Sequence, residues 1–357
     1  MNPLLSAKAL GQRIWLDNLS RELLAGPLAQ LIEQDGLAGV TSNPAIFQKS
    51  ISSGQGYAED LARLKAQPLD AEQRFEALAV PDVQAACDLF AATYRDSDGL
   101  DGYVSLEVSP RLAQDGPGTL AAARRLWAAI DRPNAMIKIP ATAASLPAFS
   151  QAIAEGINVN VTLMFGQLHC DQVFDAYSEG LRRRHAAGGD LSRVRSVASL
   201  FLSRVDTLID RRLDELGGEA LALRGQVAVS MAKVAYRRWQ QRFSAAEFAE
   251  LAAAGARPQR LLWASTGTKN PAYSDLLYVD NLIGPETVNT LPDATLAAFR
   301  DHGSAAPRLL DEVDHAEAVL RQAAVLGIDL DAAAVQLQLE GLKLFDQAFD
   351  QLLALLD

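Results

Sequence analysis

Cysteine is nearly absent from this sequence. The 357 residues contain two, Cys87 and Cys170, each inside a stretch with helical patterning. That excludes a disulfide scaffold and a thiolate zinc site. Histidine is almost as scarce: His169, His185, His302 and His315 share no metal-ligand spacing, and none sits at an expected strand end. No metal is expected, and no other cofactor either, because there is no Gly-x-Gly-x-x-Gly motif and no Walker-type loop. No apolar run approaches the roughly 18 residues of a membrane span. There is also no basic stripe. The formal net charge is −11 with both signs spread along the chain, and Arg182-Arg183-Arg184 is the longest basic run. Nucleic acid and anionic membrane are therefore not expected as partners. The opening Met1-Asn-Pro-Leu-Leu-Ser-Ala-Lys has no basic region followed by a long apolar core, so no signal peptide is expected and the expected location is cytoplasmic. Internal repeats and low-complexity linkers are lacking too. What is present, 49% hydrophobic and 22% charged residues, suits an ordinary soluble globular protein.

Short apolar runs alternate with helical patterns along the chain. Strands are expected at Arg13–Asp17, Ala38–Asn43, Gly102–Glu107, Met136–Ile139, Asn158–Thr162, Val194–Ser199, Arg260–Ser265 and Thr287–Thr290. Asn18 to Glu22 reads as loop. Helices are expected at Pro27–Gln34, opened by proline and ended by Gly36, and at Leu120–Ile130 with Thr119 as N-cap. Leu146–Glu155 and Phe165–Arg184 are also expected as helices, the latter with Leu168, Val173, Phe174, Tyr177 and Leu181 inward. Three more are expected near Asp206–Leu216, over Gln226–Phe243, and in a shorter piece ending at Ala254. Residues 52–97 hold no strand and read as a helical insertion, with helices at Tyr57–Leu64 and Ala71–Tyr94. Residues 306–357 read as two or three amphipathic helices. Short strands alternating with helices pair in parallel through right-handed crossovers. Eight of them predict a (β/α)8 TIM barrel in one domain spanning 1–357, with the insertion between strands two and three. A doubly wound open sheet is the alternative, but Asp17-Asn-Leu-Ser stands where its glycine-rich turn belongs.

In a barrel, chemistry collects at the carboxyl ends of the strands. Those positions here are Asp17, Asn43, Glu107, Lys138, Asn160 with Thr162, Ser199, Ser265 and Asn289. Lys138 lies in the apolar run Asn134-Ala-Met-Ile-Lys-Ile-Pro140, which Pro140 closes because it has no N–H for a ladder. A lysine taken out of water loses part of its preference for the charged form, and a neutral amine attacks carbonyls. A strand-edge lysine reaching for water would look the same in isolation. Two acids converging on it favour amine catalysis on a ketone, with Asp17 or Glu107 moving protons, Thr162 helping to hold a water, and Asn43, Asn160 and Ser199 binding hydroxyls. The run Ser265-Thr-Gly-Thr-Lys269 suits a phosphate, and Arg204, five residues past Ser199, suits one too, although taken alone it reads as a solvated helix residue.

These residues also arrive in a familiar order. Trp15-Leu-Asp17, Gly39-Val-Thr-Ser-Asn-Pro44, Ser105-Leu-Glu107, Ile137-Lys-Ile-Pro140, Asn158-Val-Asn-Val-Thr-Leu163 and Ser199-Leu-Phe-Leu-Ser-Arg204 resemble the transaldolase family. The resemblance implies transfer of a dihydroxyacetone unit from sedoheptulose 7-phosphate to glyceraldehyde 3-phosphate in the pentose phosphate pathway. It implies Lys138 as the Schiff-base lysine and Asp17 as the acid/base for C–C cleavage. Glu107 and Thr162 would hold the catalytic water. Asn43, Asn160 and Ser199 would bind substrate, Phe201 would help close the site, and Arg204 would take the phosphate. Ser265 to Tyr278 departs from the family's usual serine and arginine, so Ser265 and Lys269 are assigned there from position alone. Residues 52–97 and the tail look like a longer subgroup. The nearest rival is a fructose 6-phosphate aldolase that releases free dihydroxyacetone; those relatives lack the glutamate and carry tyrosine where Phe201 stands. A barrel kept only as a binding protein would be expected to have lost Lys138, Asp17 or Glu107. Sugar phosphates are the expected partners, and a monomer or a homodimer the expected assembly.

Overall fold

Parallel strands close on themselves in the computed structural model, which describes residues 2–244 and 246–357. Among these, eight strands form the barrel in chain order: β1 Gln12–Leu16, β2 Gly39–Thr41, β3 Tyr103–Glu107, β4 Ala135–Pro140, β5 Val159–Met164, β6 Ser196–Phe201, β7 Arg260–Ala264 and β8 Thr287–Leu291. β8 returns to β1, with Gln12 opposite Thr287 and Leu16 opposite Leu291. Almost every strand residue is buried on both faces, because helices cover the outside and side chains fill the inside. Val159, Val161, Leu163, Ala198 and Leu200 are wholly shielded in this way. The expected α/β barrel is therefore the fold, with boundaries one or two residues from those read in the sequence.

The local departures have physical causes. Ser20 caps a helical turn at Arg21–Leu24, accepting from Leu23 N–H at 3.1 Å, where loop was expected. The helix expected from Thr119 begins earlier, at Gly116. Its cap is Asp115, and Thr119 instead donates to the Leu112 carbonyl at 2.8 Å. The helix expected over Ala71–Tyr94 is two, Ala71–Leu89 and Ala91–Asp96, interrupted at the fully buried Phe90 with ψ 0°. In the helix Gln167–Ala186 the expected core residues are buried except Leu168, which is 46% exposed. Ala245, inside the stretch expected to continue helically to Ala254, lies outside the described residues. Both cysteines are buried and free. Among the described residues no helix is long and apolar enough to cross a membrane.

The insertion and the tail grip each other across the barrel. Phe75 of the insertion packs edge-on against Phe47 at 5.2 Å and against Phe349 of the last helix, Leu330–Leu356, at 5.8 Å. Such aromatic pairs add roughly 0.5–1.5 kcal/mol beyond their buried area. Arg21, just past β1, bridges Asp60 at 2.7 Å and Asp82 at 2.8 Å, and Tyr57 donates to the same Asp82. The last helix then runs over β5, the helix Pro44–Ser52 and the helix Ser203–Leu216. It ends up above the carboxyl ends of the strands.

Gly39 shows how tightly the barrel is filled. A Cβ there would meet the Tyr103 carbonyl oxygen at 2.6 Å and the Trp15 indole at 2.7 Å. Trp15 is fully buried, so neither neighbour has room to yield. Gly39→Ala is expected to cost about 1–3 kcal/mol by overpacking. The check is urea denaturation, with a lowered midpoint at constant slope; an unchanged midpoint contradicts this account.

Candidate active site

The strand register assembles the centre of the site. Glu107 on β3 lies opposite Lys138 on β4, and Lys138 lies opposite Asn160 on β5, so the three form one row across adjacent strands. Lys138 and Glu107 are both buried. The Lys138 ammonium donates to the Ser42 carbonyl at 3.0 Å and stands 3.6 Å from Glu107 Oε2. Glu107 Oε2 and the Thr162 hydroxyl are buried without a hydrogen-bond partner in the protein. Burial pushes the Glu107 carboxyl up to about 7; the Lys138 charge opposes this and Asp17 adds to it.

Asp17 follows β1 directly. Its N–H donates to the Leu291 carbonyl at 2.8 Å, continuing the ladder with β8 by one residue. Its carboxylate accepts from the Thr41 hydroxyl at 2.8 Å, and Thr41 also shares a hydrogen bond with Thr290 at 2.9 Å. Burial raises this carboxyl above the usual range, while Lys138 and Thr41 hold it down. Ser199 donates to Asn160 Oδ1 at 2.7 Å, and Asn160 donates to Ser105 at 3.1 Å. That chain fixes the orientation of the Asn160 carboxamide. Asn43 caps the helix Pro44–Ser52 by accepting from Ile46 N–H at 3.0 Å, which leaves its Nδ2 donors for other partners.

One cavity of about 200 Å³ gathers these groups. Every expected site residue lines it except Asn289 and Glu107, the latter 3.6 Å from the Lys138 ammonium. Its far side is cationic. Arg204 lies in the first turn of the helix Ser203–Leu216, its guanidinium 5.6 Å from the Phe201 ring. Arg204 Nη1 is buried without a partner, and burial pushes the guanidinium down from its ordinary value. Phe201, the last residue of β6, packs on Phe165 with ring centres 5.1 Å apart. Ser265 follows β7 with φ 54° and shares a hydrogen bond with Ser203 at 2.8 Å; Lys269 joins the lining from the same loop. The two threonines of that loop are committed elsewhere, Thr266 to the Thr290 carbonyl and Thr268 to the Ser274 carbonyl.

Some expectations shift by a residue. Asn289 was expected at the end of the eighth strand, but its amide donates outward to the Tyr278 carbonyl at 3.1 Å, and Thr290 faces the cavity instead. Side chains alternate along a strand, so a one-residue difference reverses the face. Thr41, Thr290 and Phe345 are cavity residues missed in the sequence. Thr41 was detectable because it lies two residues before Asn43 in the expected strand and so shares its face. Phe345 carried no local signal, since it arrives from the C-terminal helix. Leu163, next to Thr162, holds φ 59° at an irregularity in the pairing of β5 with β6. Left-handed backbone costs a leucine roughly 1–2 kcal/mol. Among the described residues no group of three or more His, Cys, Asp or Glu side chains has the geometry to hold a metal ion. A larger open groove lies between the insertion and the last helix, lined by Val80, Arg125 and Leu353, without comparable chemistry.

Comparison with known proteins shows the family. A family model described as transaldolase/fructose-6-phosphate aldolase matches residues 14–356. The chain is similar to a protein of Thiobacillus denitrificans named transaldolase, with 54% identity over 99% of both chains. It is similar to the transaldolase of Neisseria gonorrhoeae, 52% identical over 99% of both chains. It is also similar to that of Frankia alni, 46% identical over 99% of this chain and 96% of the relative.

Glu107 makes stability depend on pH with a definite sign. Its folded value, about 7, lies above the ordinary 4.5, so the folded state keeps a proton that the unfolded chain releases. Its contribution is therefore most favourable at low pH and is lost as pH rises from the ordinary value to the folded one. Glu107→Gln, neutral throughout, is expected to gain on the parent by on the order of 3 kcal/mol across that window. Chemical denaturation of both proteins at matched pH measures this; a pH-independent difference contradicts it.

Proposed function

The chain belongs to the transaldolase/fructose-6-phosphate aldolase family, and within it we propose that this protein is a transaldolase working through a Schiff base on Lys138. The carrying observation is the row Glu107, Lys138, Asn160 on adjacent strands, with Asp17 in the same cavity. The ketone carbon of sedoheptulose 7-phosphate is attacked by the Lys138 amine. The carbinolamine then loses water to give an iminium. The C–C bond beyond the carbon next to the iminium breaks as Asp17 takes the proton of the hydroxyl on the departing aldehyde, erythrose 4-phosphate. The bonding electrons are left on the lysine-bound fragment as an enamine. The enamine attacks the aldehyde carbon of glyceraldehyde 3-phosphate, and Asp17 returns its proton to the new hydroxyl. Hydrolysis of the iminium releases fructose 6-phosphate.

Each role has a physical support. A carboxyl raised by burial is a stronger base once ionised, which suits Asp17 as proton acceptor. A Glu107 carboxyl near 7 exchanges protons readily at neutral pH. The unpartnered oxygens of Glu107 and Thr162 suit the water lost and regained in the two carbonyl steps. Asn43, Asn160 and Ser199 fit sugar hydroxyls, and Phe201 closes the wall beside them. Arg204, with Ser265 and Lys269 across the cavity, fits the phosphate. The same reading takes residues 1–357 as one catalytic domain, insertion and tail included, with sugar phosphates as partners. It places the protein in the cytoplasm, as a monomer or a homodimer, and needs no cofactor.

Borohydride added with fructose 6-phosphate is expected to trap the three-carbon fragment on Lys138, found by peptide mapping. An adduct on another residue, or none in active protein, sinks the mechanism. Adding an acceptor aldehyde before the borohydride is expected to discharge the fragment; free dihydroxyacetone as the main product would make the protein an aldolase. Asp17→Ala is expected to lower kcat by about 10²–10⁴-fold while substrate affinity changes little. Loss of affinity alone would reduce Asp17 to a positioning group.

A further inference from the structure

The last helix does more than cover the cavity. Ala334, Gln338, Gly341 and Phe345 fall on one stripe of it, spaced by four, three and four residues. Ala334 lies against Gly166, where an added Cβ would meet its methyl at 2.8 Å. Gly341 brings the backbone close to the strained Leu163: a Cβ there would meet Leu163 Cδ2 at 3.0 Å and Arg204 Nη1 at 3.5 Å. Phe345 reaches the cavity wall. Between these contacts, Gln338 Nε2 donates to the Ala141 carbonyl at 2.9 Å and to the Leu163 carbonyl at 3.1 Å.

A carboxamide nitrogen carries two protons, and here the two go to two different strands. Ala141 directly follows β4, three residues past Lys138. Leu163 directly follows Thr162 on β5. The ladder between them reaches this point, with Ala141 N–H donating to the Thr162 carbonyl at 2.8 Å. Leu163 with φ 59° interrupts the extended backbone at the very next residue, before Met164 pairs with Leu200 on β6. Such a conformation persists only where its surroundings hold it.

We propose that Gln338 is a positioning residue for the reaction, fixing the ends of β4 and β5 so that Lys138 and Thr162 keep their mutual placement. This rests on the Schiff-base reading above. Gln338 touches no reacting atom; it acts through the two carbonyls. Misplacement by about an ångström costs reactions of this kind up to a hundredfold.

The test uses the full chain. Gln338→Met keeps the volume and removes both donors. It is expected to lower kcat by about tenfold or more and to slow borohydride-trapped adduct formation, with KM changed by about twofold at most. Gln338→Lys, whose ammonium can donate to both carbonyls, is expected to recover part of kcat, and Gln338→Glu to be worse than Gln338→Met. Gly341→Ala, which pushes the helix from Leu163 with Gln338 intact, is expected to reproduce the kcat loss and serves if Gln338→Met does not fold. Wild-type turnover in Gln338→Met overturns the proposal. So does a loss that merely follows the unfolded fraction and is not relieved by Gln338→Lys. In both cases an adduct on Lys138 in the parent protein leaves the wider reading standing. No adduct in the parent removes that reading and this one together.

Discussion

Lys138 stands inside the barrel with one carbonyl, that of Ser42, at 3.0 Å and one carboxylate, that of Glu107, at 3.6 Å. An isolated charge so deeply placed would be several kcal/mol unfavourable. Most of what surrounds it answers that constraint. β3 and β5 flank its strand, each supplying a polar partner in the same row. The backbone after β2 turns a carbonyl toward the amine instead of a second acid. The hydrogen bond is thus kept while the carboxylate stays just beyond hydrogen-bonding range. The arrangement leaves the amine hydrogen-bonded yet not locked into a tight ion pair.

The two acids around it differ because their surroundings differ. Asp17 is held by the Thr41 hydroxyl and touches the cavity; Glu107 lies beside Lys138, outside the cavity lining, with one oxygen unpartnered. Burial raises both, and the hydroxyl restrains Asp17. One barrel therefore sets two carboxyls, both raised by burial, in different surroundings near a single amine. A reaction that breaks a C–C bond in one step and exchanges water in another has use for both.

The barrel and the inner half of the candidate site were legible in the sequence because both rest on local pattern. Alternation of strand and helix gave the topology, and polar residues at strand ends gave Asp17, Lys138, Asn160 and Thr162. Arg204 was legible because a helix start follows β6. What escaped is set by geometry finer than pattern or by contacts far along the chain. Thr290 and Asn289 exchange places because side chains alternate. Asp115 displaced Thr119 as a cap because both are good capping residues, and packing of the preceding turn decides between them. Phe345 and Gln338 belong to a helix whose patterning says only that one face is apolar. Nothing local says that this face meets β5.

The closure of β8 on β1 joins residues far apart in the chain; Gln12 and Thr287 are hydrogen-bonded across a separation of 275 residues. The cavity needs still more chain, since Asp17 enters from one end and Phe345 from the other. Asp17 and Lys138 lie in the first half of the chain, whereas the Phe345 wall of their cavity comes from Leu330–Leu356. Without Leu330–Leu356 the cavity around Lys138 would lack its Phe345 wall and stand open to water. Lys138 is therefore walled in only when segments as far apart in the chain as Asp17 and Phe345 have folded together.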